Sequence, residues 1–557
     1  MAISQHNIAR LRARLAAWRT PTRAVARYGG RGWRALHYGL NLLLFSRILA
    51  GRAGFAPIEL PPAVLRKKGV TRAPPRLRIL EAGEQDALAG FAAGFAEVYA
   101  LLFANLQGAG LLSPHRFALP GPAFQGIYLW DSAFIAPIWR AWSPEIAEEV
   151  LLSVLAVRDG DRLQHVVSEF AQSRYTQPPL LAWSALHLAR ARPPAQARAW
   201  LARVYPPLVA YQHWLEAHRR LPNGLYAWVH PYESGVENSP RFSSADERRC
   251  RDTRTLAAPD FSAYVVLQLD ALREMAQRLD QPEAAARHAE QAASLRARIN
   301  ARLWDARDGL YYDHDAAGQP LRVATIASLL PLWAGIPDTA RAMRLIARIM
   351  APAHFATPMP LPSVDRGDPR FEKDMWRGPV WLNTAYGVIQ GLLRHGQARA
   401  AGELALRLCA GVYGVFANEQ RLYEFYDPDV PHTRALRRKR GNWWKTLTLG
   451  AGPQRDFVGW SGLVNPLFIE VLLGLEEGDG ALRLCPRLPA RTLGLRLELE
   501  LPRLGGTLTL AVPAPDCFEG HWRDARGEQA FRTGFNQPVS LCPGPPTGGV
   551  HPCAIAI

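Results

Sequence analysis

The sequence predicts a mainly α-helical chain, an array of helical hairpins with a small β module at its C-terminal end. Three patterns carry that reading. Between about residues 82 and 476, apolar residues recur at three-to-four spacing, as in EAAARHAEQAASLRARINARLW (283–304) and QARAAGELALRLCAGVY (397–413), the period of an amphipathic helix. Other segments, such as VWLNTAYGVIQGLLRHG (380–396), are apolar most of the way round, so neighbouring helices must cover them. After Gly480 the period falls to two: LGLRLELELPRLGGTLTLAV (493–512) alternates and breaks at a Gly pair, a β-hairpin pattern. No strict repeat accompanies the helices, so the pattern alone leaves closure of the array open.

The charge divides the chain further. Residues 1–80 hold sixteen Lys or Arg against one acid, Glu59, while the remainder holds 50 basic and 48 acidic residues. The body is therefore nearly neutral, which argues against a nucleic-acid groove through it. The expected organisation is a basic arm over residues 1–81, a helical domain over 82–480 and a β module over 481–557. The arm is suited to an anionic membrane surface, or to being a solvated Arg-rich tail. ALHYGLNLLLFSRILAG (35–51) is too interrupted by His, Asn and Arg for a membrane span and reads as a docking or membrane-surface helix. Six sparse cysteines with no CxxC pair point to a reducing compartment. The expected location is the cytoplasm, with peripheral membrane contact through the arm. No HExxH, P-loop or GxGxxG occurs, so no metal or organic cofactor is expected.

Chemistry-bearing residues gather in the linkers between helices. GIYLWDSAF (126–134) sets Asp131 beside Trp130, an acid for sugar hydroxyls and an indole for a ring face, or a helix cap. SRYTQPPLLAW (173–183) offers Gln177. ESGVENSPRF (233–242) places Glu233 and Glu237 four residues apart among aromatics. FEKDMWRGPVWLN (371–383) sets Trp376, Arg377 and Gly378 ahead of a buried helix. RLYEFYDPD (421–429) holds Glu424 between Tyr and Phe. Two acids in apolar surroundings suit glycoside hydrolysis, in which one carboxyl donates a proton and the other stays ionised.

In order and spacing, LWDSAF, TQPPLLAW, YESGVENSPRF, LWDARDGLYYD, WRGPVWLN, YEFYDPD and FVGWSGL resemble the motifs of glycoside hydrolase family 63. That family includes processing α-glucosidase I and the bacterial mannosylglycerate and glucosylglycerate hydrolases. Trehalase and glycogen-debranching glucosidase resemble the chain more distantly. The resemblance spans roughly residues 85–475 and implies an (α/α)6 barrel and an inverting α-glycosidase acting on a small carbohydrate. It implies Glu237 as general acid and Glu424 as general base. Trp130, Asp131, Gln177, Trp376, Arg377, Gly378 and Trp460 would line the sugar site, and Glu233 would be a structural or sugar-contacting acid.

The chain departs from the family pattern twice. Glu237 stands where the family carries Asp, in a pattern like ESGMDNSPRW, and the extra methylene shifts the acid by about 1 Å, a displacement worth ~100-fold in rate unless the pocket adjusts. The link from Asp429 to Asp456 includes RALRRKRGNWWK, with five basic residues before a Trp pair. It reads as a solvated lid edge or as a recogniser of an anionic aglycone, since Arg forks match carboxylate and phosphate. Two rival functions follow. An inverting phosphorylase would use phosphate in place of activated water, with Glu424 counting against it. A sugar-binding protein would have lost catalysis at position 237.

Overall fold

The computed structural model describes residues 60–83, 88–168, 172–242, 252–438, 449–478 and 481–541. Residues 1–59, which hold most of the expected arm, lie outside the described residues, as do 439–448 and 542–557.

Eleven helical elements position the site: α1 (Phe91–Asn105), α2 (Leu129–Arg140), α3 (Pro144–Ala156), α4 (Leu181–Arg190), α5 (Pro194–Arg219), α6 (Pro259–Arg278), α7 (Pro282–Arg302), α8 (Thr339–Ile349), α9 (Leu382–Arg394), α10 (Ala398–Glu419) and α11 (Ser461–Leu472). They form two layers, and burial separates them. All twelve residues of α2 are buried, and α9 is buried continuously from Leu382 to Ile389. By contrast α8 buries only Ala342, Leu345, Ile346 and Ile349, and α7 only Ala285, His288, Ala292, Leu295 and Ile299. Those are single stripes at helical spacing, the signature of an outer layer. Helix α10 is long and apolar enough to cross a membrane, but here it packs against α1, α9 and α11.

The inner elements form a ring. Helix α2 packs on α4, α4 on α6, α6 on the 3-10 turns between Ile326 and Leu332, those turns on α9, and α9 on the start of α11, which returns to α2. Successive hairpins α2–α3, α4–α5, α6–α7 and α9–α10 pair an inner with an outer helix. This is the (α/α)6 barrel, and its fourth inner member is a pair of 3-10 turns rather than a helix.

An ion cluster joins the first, second and last inner elements at their C-terminal halves. Arg140 of α2 meets Glu470 of α11 at 2.6 Å, and His187 of α4 lies 3.5 Å from the same carboxylate. Glu470 sits in a π-helical turn, Leu467–Leu472, a distortion often found where a helix serves a function.

The β module is larger than one hairpin. Strands β1 (Arg76–Ala82), β4 (Leu495–Leu501), β5 (Gly506–Ala514), β6 (Cys517–Asp524) and β7 (Gly527–Gly534) form an antiparallel sheet in that order. A second sheet joins β2 (Leu475–Gly478), β3 (Ala481–Leu484) and β8 (Val539–Ser540) and straddles residue 480. The expected hairpin is β4–β5, in register at Leu497↔Leu510 and Leu499↔Leu508. Strand β1 comes from the segment read as arm, pairing Leu77 with Leu499 and Ile79 with Leu497. The end of that segment is thus part of the body: Leu65, Val70 and Leu77 are buried. Lys68 Nζ donates to the carbonyls of Phe103, Ala104 and Leu106 at the end of α1.

The ion cluster gives the barrel a pH response. Burial alone would raise the Glu470 carboxyl, but Arg140 and then His187 hold it down at about 2, against a usual 4.5. A carboxyl depressed by folding stabilises the native state above its unfolded value and loses that contribution as pH falls through the folded one. Melting temperatures recorded across pH should show Glu470→Gln less stable than the parent near neutrality. The gap should narrow as pH drops from about 4.5 towards 2. A gap that is independent of pH over that range would contradict this assignment.

Candidate active site

LWDSAF, TQPPLLAW, WRGPVWLN and FVGWSGL sit in or just ahead of the N-terminal end of an inner element, so the ring delivers them to one face; ESGVENSPRF and RLYEFYDPD lie on loops that follow outer helices α5 and α10. Trp130 and Asp131 are the second and third residues of α2, whose N-cap is Tyr128. Asp131 is therefore not the cap; it is a buried acid in the first turn, where the helix dipole favours negative charge. The side-chain carbonyl of Gln177, ahead of α4, accepts the Trp130 N–H at 3.3 Å. FEKDMWRGPVWLN leads into α9, and Trp460 precedes α11.

Four indoles make the floor. Trp130 and Trp460 lie 5.6 Å apart between ring centres, Trp376 stacks on Trp381 at 3.7 Å, and Trp381 lies 5.5 Å from Trp460. Trp130 and Trp376 are only 2% and 1% exposed, so they build the floor and present no open ring face.

The acid loop is pinned at both ends. At its start Glu233 is fully buried. Its Oε1 accepts from the Thr176 N–H at 3.1 Å and Arg219 Nη2 at 2.7 Å, and its Oε2 from Arg219 Nε and the Val229 N–H, each at 3.0 Å. With four donors from the protein, Glu233 is a clamp, and the expectation of a sugar contact is withdrawn. At the loop's end Arg241 grips Asp260 at 2.6 and 3.0 Å and Asp313 at 3.2 Å. Burial pushes the Asp313 carboxyl up to about 6 against the pull of Arg241, and Asp260 adds to the rise. Losing one partner of a buried charge pair costs about 3–5 kcal/mol, so this triad fixes the loop that carries Glu237.

Asn238, which the sequence analysis did not single out, joins that loop to the WRGP wall. Its Nδ2 donates to Asp374 Oδ1 at 3.0 Å, its Oδ1 accepts the Trp376 N–H at 2.9 Å, and its carbonyl accepts from Arg377 at 3.3 Å. Arg377 also pairs with Glu372, so it braces the wall. Gly378 is required for space: a Cβ there would lie 2.5 Å from the Glu372 carbonyl oxygen. Met375 takes a left-handed φ of 49°, a strain that persists only when neighbours enforce it. Here the Trp381 indole N–H donates to its carbonyl and the Arg437 carbonyl accepts its N–H.

RLYEFYDPD, which carries Glu424, faces this wall across an antiparallel bridge between Val380 and Tyr426. Lys373 from the wall holds Asp427 at 2.7 Å and Asp429 at 2.8 Å. The Trp460 indole N–H donates to the Glu424 carbonyl at 2.7 Å. Glu424 and Glu237 are 3% and 6% exposed, and the indole floor connects them. Arg438 pairs with Glu424 Oε2. It is fully buried, so this one of the five basic residues is neither part of a solvated lid edge nor offered to an anionic aglycone; Arg434 and Arg437 are exposed, and Lys439 and Arg440 lie outside the described residues. Among the described residues no cluster of three or more His, Cys, Asp or Glu is placed to hold a metal.

Residues 125–437 match the family profile of the mannosylglycerate hydrolase MGH1-like glycoside hydrolase domain. The chain belongs to that family. The mannosylglycerate hydrolase of Thermus thermophilus is 30% identical over 390 residues, covering 56% of this chain and 92% of the relative. The mannosylglycerate hydrolase of Rubrobacter radiotolerans is 25% identical over 401 residues, covering 56% and 88%. Among solved structures, the GH63 mannosylglycerate hydrolase from Thermus thermophilus in complex with glucose superposes with a TM-score of 0.55 at 27% identity, over 67% of this chain and 98% of that one. Membership makes this chain a glycoside hydrolase of the GH63 type with a small carbohydrate substrate.

Gly235 tests how tightly the acid loop seats on the floor. Its φ is +73°, and a Cβ would fall 2.4 Å from the Trp130 ring. The left-handed conformation alone costs a non-glycine residue ~1–2 kcal/mol, and relief of the clash must shift the loop. Gly235→Ala should lower the denaturation midpoint and cut kcat by about 100-fold, the effect of a ~1 Å displacement of an acid. Parent-like kinetics in this variant would show that the loop seat does not position catalysis.

Proposed function

We propose that the protein is an inverting α-glycosidase that hydrolyses a small α-linked mannoside or glucoside with an anionic aglycone of the glycerate type. Glu237 protonates the glycosidic oxygen. Glu424 deprotonates a water that attacks the anomeric carbon from the opposite face.

One observation carries the reading. Two buried carboxylates, on loops 187 residues apart, are tied to one indole floor, Glu237 through Gly235 and Asn238 and Glu424 through Trp460. The ion pair with Arg438 suits Glu424 to the ionised role. The family position of Glu237, in the loop seated on Trp130, suits it to the proton-donating one. The anionic aglycone rests on the relatives named mannosylglycerate hydrolases, because Arg438 is committed to Glu424 and is not offered to a ligand.

Leaving-group chemistry separates the two roles. Fluoride departs without a proton, so α-glycosyl fluorides bypass the acid and still need the base. On 2-O-α-D-mannosyl-D-glycerate, Glu237→Gln and Glu424→Gln should each cut kcat by about 10²–10⁴-fold. On α-D-mannosyl fluoride Glu237→Gln should recover most of its rate and Glu424→Gln should not. A Glu237→Gln enzyme as active as the parent on the glycerate glycoside would remove the acid from position 237.

A further inference from the structure

Arg438 is the first residue beyond the span matched by the family profile, and its side chain reaches back to the carboxylate at the centre of the proposed reaction. The surroundings show a built position. Its backbone N–H donates to the Ala451 carbonyl at 2.8 Å, its Nε to the Gly452 carbonyl at 3.3 Å, and Nη1 lies 3.9 Å from Met375 Sδ. The guanidinium stands 5.4 Å from the Phe425 ring centre. Residues on either side are anchored too. Arg437 runs parallel to the wall at Asp374, accepting from the Met375 N–H and donating its own to the Lys373 carbonyl. On the returning arm the Gln454 carbonyl accepts the Glu424 N–H at 3.0 Å.

The two oxygens of Glu424 are treated differently. Oε2 receives Arg438 Nη2 and, at 3.3 Å, the Gln454 N–H. Among the described residues Oε1 accepts no hydrogen bond. A carboxylate held by one oxygen cannot turn freely, and its other oxygen keeps a fixed direction in which to take a proton.

We infer that Arg438 is a positioning residue for the general base: it fixes Glu424 Oε2 and thereby presents Oε1 to the hydrolytic water. This rests on the proposed role of Glu424. Arg438 therefore serves the chemistry from behind the carboxylate. Arginine suits the task because its rigid planar fork reaches the carboxylate, the Gly452 carbonyl and the thioether together, which a lysine ammonium cannot.

The test uses the full chain with α-D-mannosyl fluoride and α-D-glucosyl fluoride as probes, which isolate attack by water from protonation of the leaving group. Arg438→Met should lower kcat about 100-fold with KM changed less than about threefold, the split expected for a group that acts only on the reaction step. Arg438→Lys, which keeps the charge and loses the fork, should fall in between. Arg438→Ala should regain rate when guanidinium is added at tens of millimolar, roughly, below denaturing strength. In the Glu424→Gln background Arg438→Met should change the residual rate by less than about twofold, because the two residues act as one unit. Parent-like kcat in Arg438→Met, or an equal loss in both backgrounds, would overturn the positioning role. If Glu424→Gln alone kept the parent rate, the base assignment would fall, and this inference with it, whatever the Arg438 variants did.

Discussion

The contact between Trp130 and Trp460 closes the inner ring on its cleft side. One indole opens the first inner helix and the other precedes the last inner element, 330 positions later. Each also carries one of the two acid-bearing loops. Trp130 is the surface against which Gly235 seats, with no room for a methyl group, and Trp460 hydrogen-bonds the backbone of Glu424. Separation of the two carboxylates is therefore fixed by ring closure and not by either loop alone. At the opposite end Arg140, Glu470 and His187 clasp the same helices, so closure is secured twice.

The two acid-bearing loops are anchored by different means. Glu237 sits between two buried ionic knots, Glu233–Arg219 before it and Arg241–Asp260–Asp313 after it. Glu424 is itself gripped, by Arg438. Buried charges of this kind add little net stability, but breaking any one of them is costly. They hold a geometry, and reacting groups must be held to about 0.5 Å. The longer side chain at Glu237 belongs in this frame: the loop's seat on Trp130 and its tie through Asn238 set where the extra methylene points.

Much of this was legible in the sequence. Helical periodicity and the switch to alternation after residue 480 gave the two kinds of architecture, and ordered motifs gave the family. What escaped was non-local. Strand β1 pairs with β4 across more than 400 residues, and nothing in RLRIL marks it as a strand of that sheet. The fourth inner element is two 3-10 turns around Pro331, which carry no helical period. Glu233 and Glu237 share one aromatic setting in the sequence; only the position of Arg219 at the end of α5 makes the first a clamp. Arg438 stands in a run of charge, which ordinarily means a solvated face. Its burial depends on the return of residues 449–454 over it, a feature no local pattern encodes.

Glu237 and Glu424, acting as proposed on opposite faces of one sugar ring with a water between them, would invert the anomeric configuration. Proton NMR during the first turnovers of 2-O-α-D-mannosyl-D-glycerate tests it most directly. β-Mannose should appear first, with the α-anomer following only by mutarotation. If α-mannose appeared first, the reaction would retain configuration, and the pairing of these two carboxylates as acid and base across a water would be wrong.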